Sequence, residues 1–304
     1  KIFMKKRLIT LLAAIGIICT APLKSEEAPP FLLNFSAKPG ILASKKTPYM
    51  EQLQIAYDLG FRAWEDNKLL SQPVSVQEEL GKFLKEKKMT MGVTVVSSGN
   101  GVCFFQATAE EEAVILDECR KAVELAKITN HQWFTLVPGN RAADVPLEEQ
   151  LKGAVPLLQK MCDIFEPAGL IMVVEPLSHP VNNKPVLLET FEEGFQLCEL
   201  VNRPSLKVLA DYYHEQQMAG NLIKNTNDYW EQIAYIQFGD VPGRKQPFTG
   251  EINYVNVCKN LLEKGYKGPI GLEHGSTGGP EKVIEAYRRI DRELAEILKE
   301  AEKK

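Results

Sequence analysis

The chain has 304 residues, with 36 Lys and Arg against 40 Asp and Glu, giving a formal charge of −4. A mild acidic excess without a basic stripe excludes a nucleic-acid-binding surface. At 44% hydrophobic and 25% charged residues the composition is that of a globular protein rather than a disordered one.

The first segment is set apart from the rest. Lys5-Lys6-Arg7 is a basic start, Leu8 to Ile18 an apolar run, and Cys19-Thr20-Ala21 a small-residue stretch, the three parts of a cleavable signal peptide over residues 1–21. The apolar run is shorter than the about 20 residues a membrane-spanning helix needs. An exported, periplasmic protein without stable membrane insertion is therefore expected. Loss of the leader removes Lys1, Lys5, Lys6 and Arg7 and no acid, taking the charge to −8. The remainder, 22–304, shows one composition regime and no linker, which points to a single domain of the size of a (βα)8 barrel, about 250 residues. Its five cysteines, Cys103, Cys119, Cys162, Cys198 and Cys258, lack metal-finger spacing and read as buried thiols.

Strand-like and helix-like stretches then alternate eight times. In chain order the spacing predicts a strand near Leu32–Ser36, a helix over Tyr49–Leu59, a strand at Arg62–Glu65, a helix over Ser75–Lys87, and a strand at Met91–Val96. A helix over Glu110–Lys127, a strand at Trp133–Val137, a helix over Pro146–Phe165, a strand at Leu170–Glu175 and a helix over Leu187–Val201 follow. The last six are strand Lys207–Asp211, helix Asn221–Asn227, strand Ala234–Phe238, helix Tyr254–Lys264, strand Ile270–Glu273 and helix Pro280–Lys299. Thr47-Pro48, Pro146 and Gly279-Pro280 mark helix starts, and Gly60 and Gly265 mark helix ends. Eight βα units predict an α/β fold, a single parallel (βα)8 TIM barrel.

Glu175, Asp211, Gln237 and Glu273 end four successive predicted strands, at separations of 36, 26 and 36 residues. In a closed parallel barrel such ends meet on one face, so three carboxylates and an amide would converge. That set suits a hard divalent ion, Mg²⁺ or Mn²⁺. Two carboxylates on opposite sides of a substrate, Glu175 and Glu273, can take a proton from one carbon and return one to its neighbour. The chemistry indicated is isomerisation or epimerisation of a small carbohydrate or hydroxy-keto acid through an enediolate.

The stretches VEP, ADYYHEQQMAGNL, YIQFGDVPGRKQPFTGEINY and GYKGPIGLEHG resemble the hydroxypyruvate isomerase family of the xylose-isomerase-like barrels, densely from about Leu170 to Gly275. FSAKPG, GFRAWED and LVPGN resemble the family's first, second and fourth strand ends. The resemblance implies that Glu175 and Glu273 are the proton donor and acceptor and that Glu175, Asp211, Gln237 and Glu273 bind the ion. It names hydroxypyruvate to tartronate semialdehyde as the candidate reaction. The family more often carries an aromatic and a basic residue where His274-Gly275 stand here, and the loop Pro176–Val181 also departs, which leaves the substrate open.

Other residues carry alternatives. His214, three past Asp211 on a predicted loop, would touch substrate or orient Asp211. Arg244 would grip a substrate carboxylate, or else stiffen its loop by pairing with Asp240 or Glu251. Glu65 reads as a packing or salt-bridge residue. Ser98–Gly101 reads as a loop rather than a dinucleotide fingerprint, and Gly275–Pro280 as a turn or an anion site. A ketose 3-epimerase and a non-catalytic carbohydrate-binding barrel are the competing functions, and a homo-oligomer is compatible with the chain. Four histidines do not supply the metal cluster of an endonuclease-IV-type hydrolase.

Overall fold

Among the described residues nine short strand segments build the sheet: β1 (Phe35–Ala37), β2 (Ala63–Trp64), β3 (Thr90–Met91), β4 (Val95–Ser97), β5 (Trp133–Leu136), β6 (Ile171–Val174), β7 (Leu206–Asp211), β8 (Ile233–Gln237) and β9 (Ile270–Gly271). The computed structural model describes residues 27–97, 102–178 and 185–303. The expected leader, residues 1–21, lies outside them, as do the loop Ser98–Gly101 and His179. All pairings are parallel, in the order β3-β2-β1-β9-β8-β7-β6-β5-β4.

The two ends of that order, β3 and β4, are halves of one strand path, separated only by Gly92-Val93-Thr94, so the sheet closes into the expected barrel. Where an unbroken third strand is predicted, the path is interrupted by polar groups inside the barrel. A Cβ at Gly92 would stand 2.4 Å from the Tyr235 hydroxyl, and Thr94 turns its hydroxyl to the Asp66 carbonyl at 2.9 Å.

The outer layer is α1 (Tyr49–Asp58), α2 (Val74–Lys87), α3 (Ala109–Thr129), α4 (Leu147–Phe165), α5 (Phe191–Val201), α6 (Tyr212–Met218), α7 (Leu222–Asp228), α8 (Tyr254–Glu263) and α9 (Pro280–Ala301). Gly60 and Gly265, with φ of 91° and 72°, end α1 and α8 in the conformation that favours glycine. The helix expected from Leu187 starts only at Phe191, after Thr190, whose hydroxyl accepts the Glu193 N–H. Among the described residues α6 is the one α-helix the sequence does not predict. It forms directly off β7 because the Asp211 carboxylate accepts the Tyr213 N–H at 2.9 Å and caps it, and it carries His214 out of the predicted loop. Cys119, Cys162, Cys198 and Cys258 are buried free thiols on α3, α4, α5 and α8. Among the described residues no helix is long and apolar enough to cross a membrane.

Strand periodicity decides what faces the barrel axis. Val93, Val173, Leu209 and Tyr235 form a small buried cluster of their own, whereas Met172, Val174, Val208, Ala210 and Ile236 join the large core under the helices. Side chains alternate along a strand, so residues two positions beyond the inner cluster also face inward. From Val173, Leu209 and Tyr235 that step leads to Glu175, Asp211 and Gln237. From Gly271, where a Cβ would stand 2.2 Å from Glu65 Oε2, it leads to Glu273. Asp211 pairs in register with Gln237, and Gln237 with Gly271, so these ends sit at one height.

Candidate active site

The floor of the barrel mouth is a buried polar layer. Glu65, fully buried just after β2, accepts the Tyr235 hydroxyl at 2.7 Å on Oε2 and the Gln237 side-chain N–H at 2.9 Å on Oε1. The sequence offers packing or a salt bridge for Glu65; its actual partners are two neutral donors.

Above it stand the acids. Glu175, Asp211 and His214 offer ligand atoms that all lie within 4.8 Å of one another. Arg244 reaches across the mouth: its Nη2 is 3.0 Å from Asp211 Oδ2 and 3.8 Å from Glu273 Oε1, and its Nε donates to the Glu273 carbonyl at 3.0 Å. Neither alternative partner for Arg244 is used. Asp240 instead accepts the N–H groups of Val241, Thr249, Gly250 and Ile252, folding the loop that presents Arg244, and Glu251 accepts from Gln216. Glu273 stands apart from the Glu175–Asp211–His214 group, with Lys38 Nζ 2.8 Å from its Oε2. His274 points away, its ring stacked on Tyr287 with Nε2 2.8 Å from that hydroxyl, which ties the end of β9 to α9.

The histidine's tautomer follows from its neighbours. The Ser178 backbone N–H can only donate, and it donates to His214 Nδ1 at 3.1 Å. Burial and the nearby Arg244 charge hold the ring well below its ordinary pKa, so it is neutral and its proton lies on Nε2. That N–H faces Asp211 Oδ2 at 3.6 Å, beyond a hydrogen bond. His214 is thus a donor presented to Asp211 or to a bound oxygen, in keeping with an orienting role.

Burial and mutual repulsion raise the acids. Loss of water, then the Asp211 charge, pushes Glu175 well above the usual carboxylate value. Burial lifts Asp211 to about 6 against the pull of Arg244, and burial together with the Glu273 charge lifts Glu65 to about 8. A carboxylate whose pKa is raised on folding binds more protons in the native state, so stability falls as pH rises from its unfolded to its folded value. The metal-free protein is therefore expected to melt several degrees lower at pH 8 than at pH 5. Calorimetric melting across that range checks it; a flat or rising profile would contradict the assignment.

Two buried polar atoms here have no hydrogen-bond partner, the acceptor Gln237 Oε1 and the donor His214 Nε2. An orphaned buried carbonyl beside two carboxylates is an uncompensated acceptor that a hard cation would satisfy. Glu175, Asp211 and Gln237 therefore fit a divalent ion, with Glu273 able to join by leaving Lys38. Sequence reasoning missed Lys38. It follows the inward residue Ser36 by two, the step that places Glu175 and its companions, and that parity was the available signal. Beyond Glu273 the mouth opens into a cavity of about 660 Å³, lined among others by Lys38, Lys45, Glu65, Asp66 and Lys68. Asp66 is engaged by the Tyr49 hydroxyl and the Lys68 backbone N–H, both at 2.9 Å.

Comparison with known proteins agrees with this fold. A family model described as "Xylose isomerase-like TIM barrel" matches residues 53–300. The chain is 24% identical over 264 residues to the hydroxypyruvate isomerase of Escherichia coli strain K12, covering 85% of this chain and 98% of that one. It is 25% identical over 240 residues to the 2-oxo-tetronate isomerase of Pectobacterium atrosepticum, covering 77% and 89%. A solved L-ribulose 3-epimerase superposes with a TM-score of 0.72 at 16% identity, covering 89% of this chain and 97% of that one, a likeness of fold.

Proposed function

The chain belongs to the xylose isomerase-like TIM barrel family and is an isomerase, and from that premise we propose that it interconverts the carbonyl and hydroxyl of an acidic sugar derivative or hydroxy-keto acid with the help of a divalent ion, Mg²⁺ or Mn²⁺. What supports this reading is the Gln237 carbonyl, buried without a hydrogen-bond partner beside the strand end of Asp211, with the strands that lead to Glu175 and Glu273 three steps apart in the sheet. The ion, when bound, draws electron density from the substrate carbonyl and so acidifies the adjacent C–H.

The protein's own groups do the rest. One glutamate of the pair takes the proton from the hydroxyl-bearing carbon. The C–H electron pair becomes the C=C bond of the enediolate as the carbonyl π pair moves onto its oxygen. The hydroxyl proton passes to that oxygen, the new C=O forms at the former hydroxyl carbon, and the C=C pair takes up at the former carbonyl carbon a proton that the other glutamate, in its acid form, delivers. A glutamate with a raised pKa, such as Glu175, is when ionised a stronger base than an ordinary carboxylate, and it keeps its proton to higher pH, so that a protonated donor is present nearer neutrality. His214 Nε2–H is presented for an oxygen of the substrate.

One feature favours an anionic substrate over a neutral ketose, and a second favours a ligand longer than three carbons. Lys45 and Lys68 line the cavity with no carboxylate partner among the described ion pairs, and Lys38 shares Glu273. The cavity volume is that of sites for ligands larger than a three-carbon acid. The test is incubation with Mn²⁺ in D₂O, following deuterium entry by NMR into hydroxypyruvate, longer 2-keto sugar acids and neutral ketoses. Exchange is expected in the longer acids, with KM raised about tenfold by Lys45→Ala combined with Lys68→Ala and kcat little changed. Exchange confined to neutral ketoses, with inversion at one carbon, would make the enzyme an epimerase; no exchange in any substrate would overturn the reading.

A further inference from the structure

We propose that Glu65 is a positioning residue that fixes which end of the Gln237 side chain faces the acids, and so makes an amide oxygen, rather than an amide nitrogen, the ligand for the ion. The inference rests on the proposed ion binding and goes beyond it to a residue outside the ligand set. A primary amide has two ends of similar shape and opposite polarity, so only its neighbours decide its orientation. Gln237 Nε2 donates to Glu65 Oε1 at 2.9 Å, whereas Oε1 of the same amide is buried without a partner. Turned over, the amide oxygen would lie against a carboxyl oxygen, acceptor against acceptor. Oε1 of Glu65 accepts in either protonation state, provided that any proton sits on Oε2.

Glu65 is itself held in place. Its Oε2 takes the Tyr235 hydroxyl at 2.7 Å, and the carboxyl lies over Gly271, where a Cβ would stand 2.2 Å from Oε2 and 2.9 Å from Gln237 Cγ. Gly92 leaves the matching gap for the Tyr235 hydroxyl. Two glycines on separate strand paths, Gly92 between β3 and β4 and Gly271 on β9, thus clear room for one buried hydrogen-bonded row, Tyr235–Glu65–Gln237. Outer groups that orient a ligand typically change metal affinity by about 10–100-fold when removed.

The experiment is Mn²⁺ titration by calorimetry, with free Mn²⁺ counted by EPR, on wild type, Glu65→Gln, Gln237→Ala and the double variant. Glu65→Gln can donate as well as accept and so permits the amide to turn over; it is expected to weaken Mn²⁺ binding about 10–100-fold. The double variant is expected to bind no more weakly than Gln237→Ala alone. Unchanged affinity in Glu65→Gln overturns the proposal, and so does a loss that persists undiminished in the Gln237→Ala background, since Glu65 would then act elsewhere. Should Glu65→Gln fold poorly, Tyr235→Phe loosens Glu65 without removing it, and a several-fold loss that vanishes with Gln237→Ala is the expected result. Wild type that binds no Mn²⁺ would overturn the ion reading itself, a different outcome from tight wild-type binding that Glu65→Gln leaves intact.

Discussion

Glu175→Gln and Glu273→Gln are each expected to lower turnover by about 10²–10⁴-fold while leaving the barrel folded. An amide preserves the shape of the side chain but cannot accept the transferred proton. The two glutamates act in sequence on one substrate, so the double variant should be little worse than either single one. Stability should hold for different reasons at the two positions. Glu175 is a carboxyl that burial and the Asp211 charge already disfavour as an anion, so an uncharged isostere removes a repulsion. Glu273 gives up its contact with Lys38, a pair in which both side chains retain about a fifth of their exposure, where ion pairs contribute little. Deuterium exchange into substrate, read beside a melting curve, checks both. Exchange at the wild-type rate in either variant would remove that residue from the mechanism.

Why these acids could be read from sequence, and others could not, follows from strand geometry. Glu175, Asp211, Gln237 and Glu273 each close an apolar run rich in β-branched or large residues, and a barrel gathers such ends whatever their separation. The eight βα units were legible for the same reason, since the period changes at every boundary. Glu65 was visible as a strand-end acid, but its role depends on Tyr235 and Gln237, 170 and 172 residues away, and on the glycine gap at Gly271. No local pattern carries that information. Lys38 was hidden for a different reason: a lysine before Pro-Gly reads as a solvated turn, and only its parity with Ser36 places it inside the mouth. Helix α6 is seven residues long and begins on a ligand-type aspartate. The capping contact from Asp211, a tertiary consequence of where β7 ends, decides it more than propensity does.

Arg244→Ala is expected to destabilise the metal-free protein by about 3 kcal/mol at neutral pH, on the order of 10 °C in melting temperature. The guanidinium lies 3.0 Å from Asp211, which is fully buried, and 3.8 Å from Glu273, so its removal leaves clustered acids without their counter-charge. Arginine here occupies the electrostatic role that a divalent ion would share, and the loss should shrink when Mn²⁺ is added, because the ion neutralises the same carboxylates. It should shrink also at pH 5, where Asp211, with a pKa already raised to about 6, takes a proton instead. Placing Arg244→Ala in an Asp211→Asn background separates this account from simple loss of packing. If the charge pair is the cause, arginine removal costs much less once the aspartate is an amide. An equal loss in both backgrounds, unaffected by Mn²⁺ or pH, would mean that Arg244 supports its loop through the Glu273 carbonyl and its contact with the Tyr213 ring.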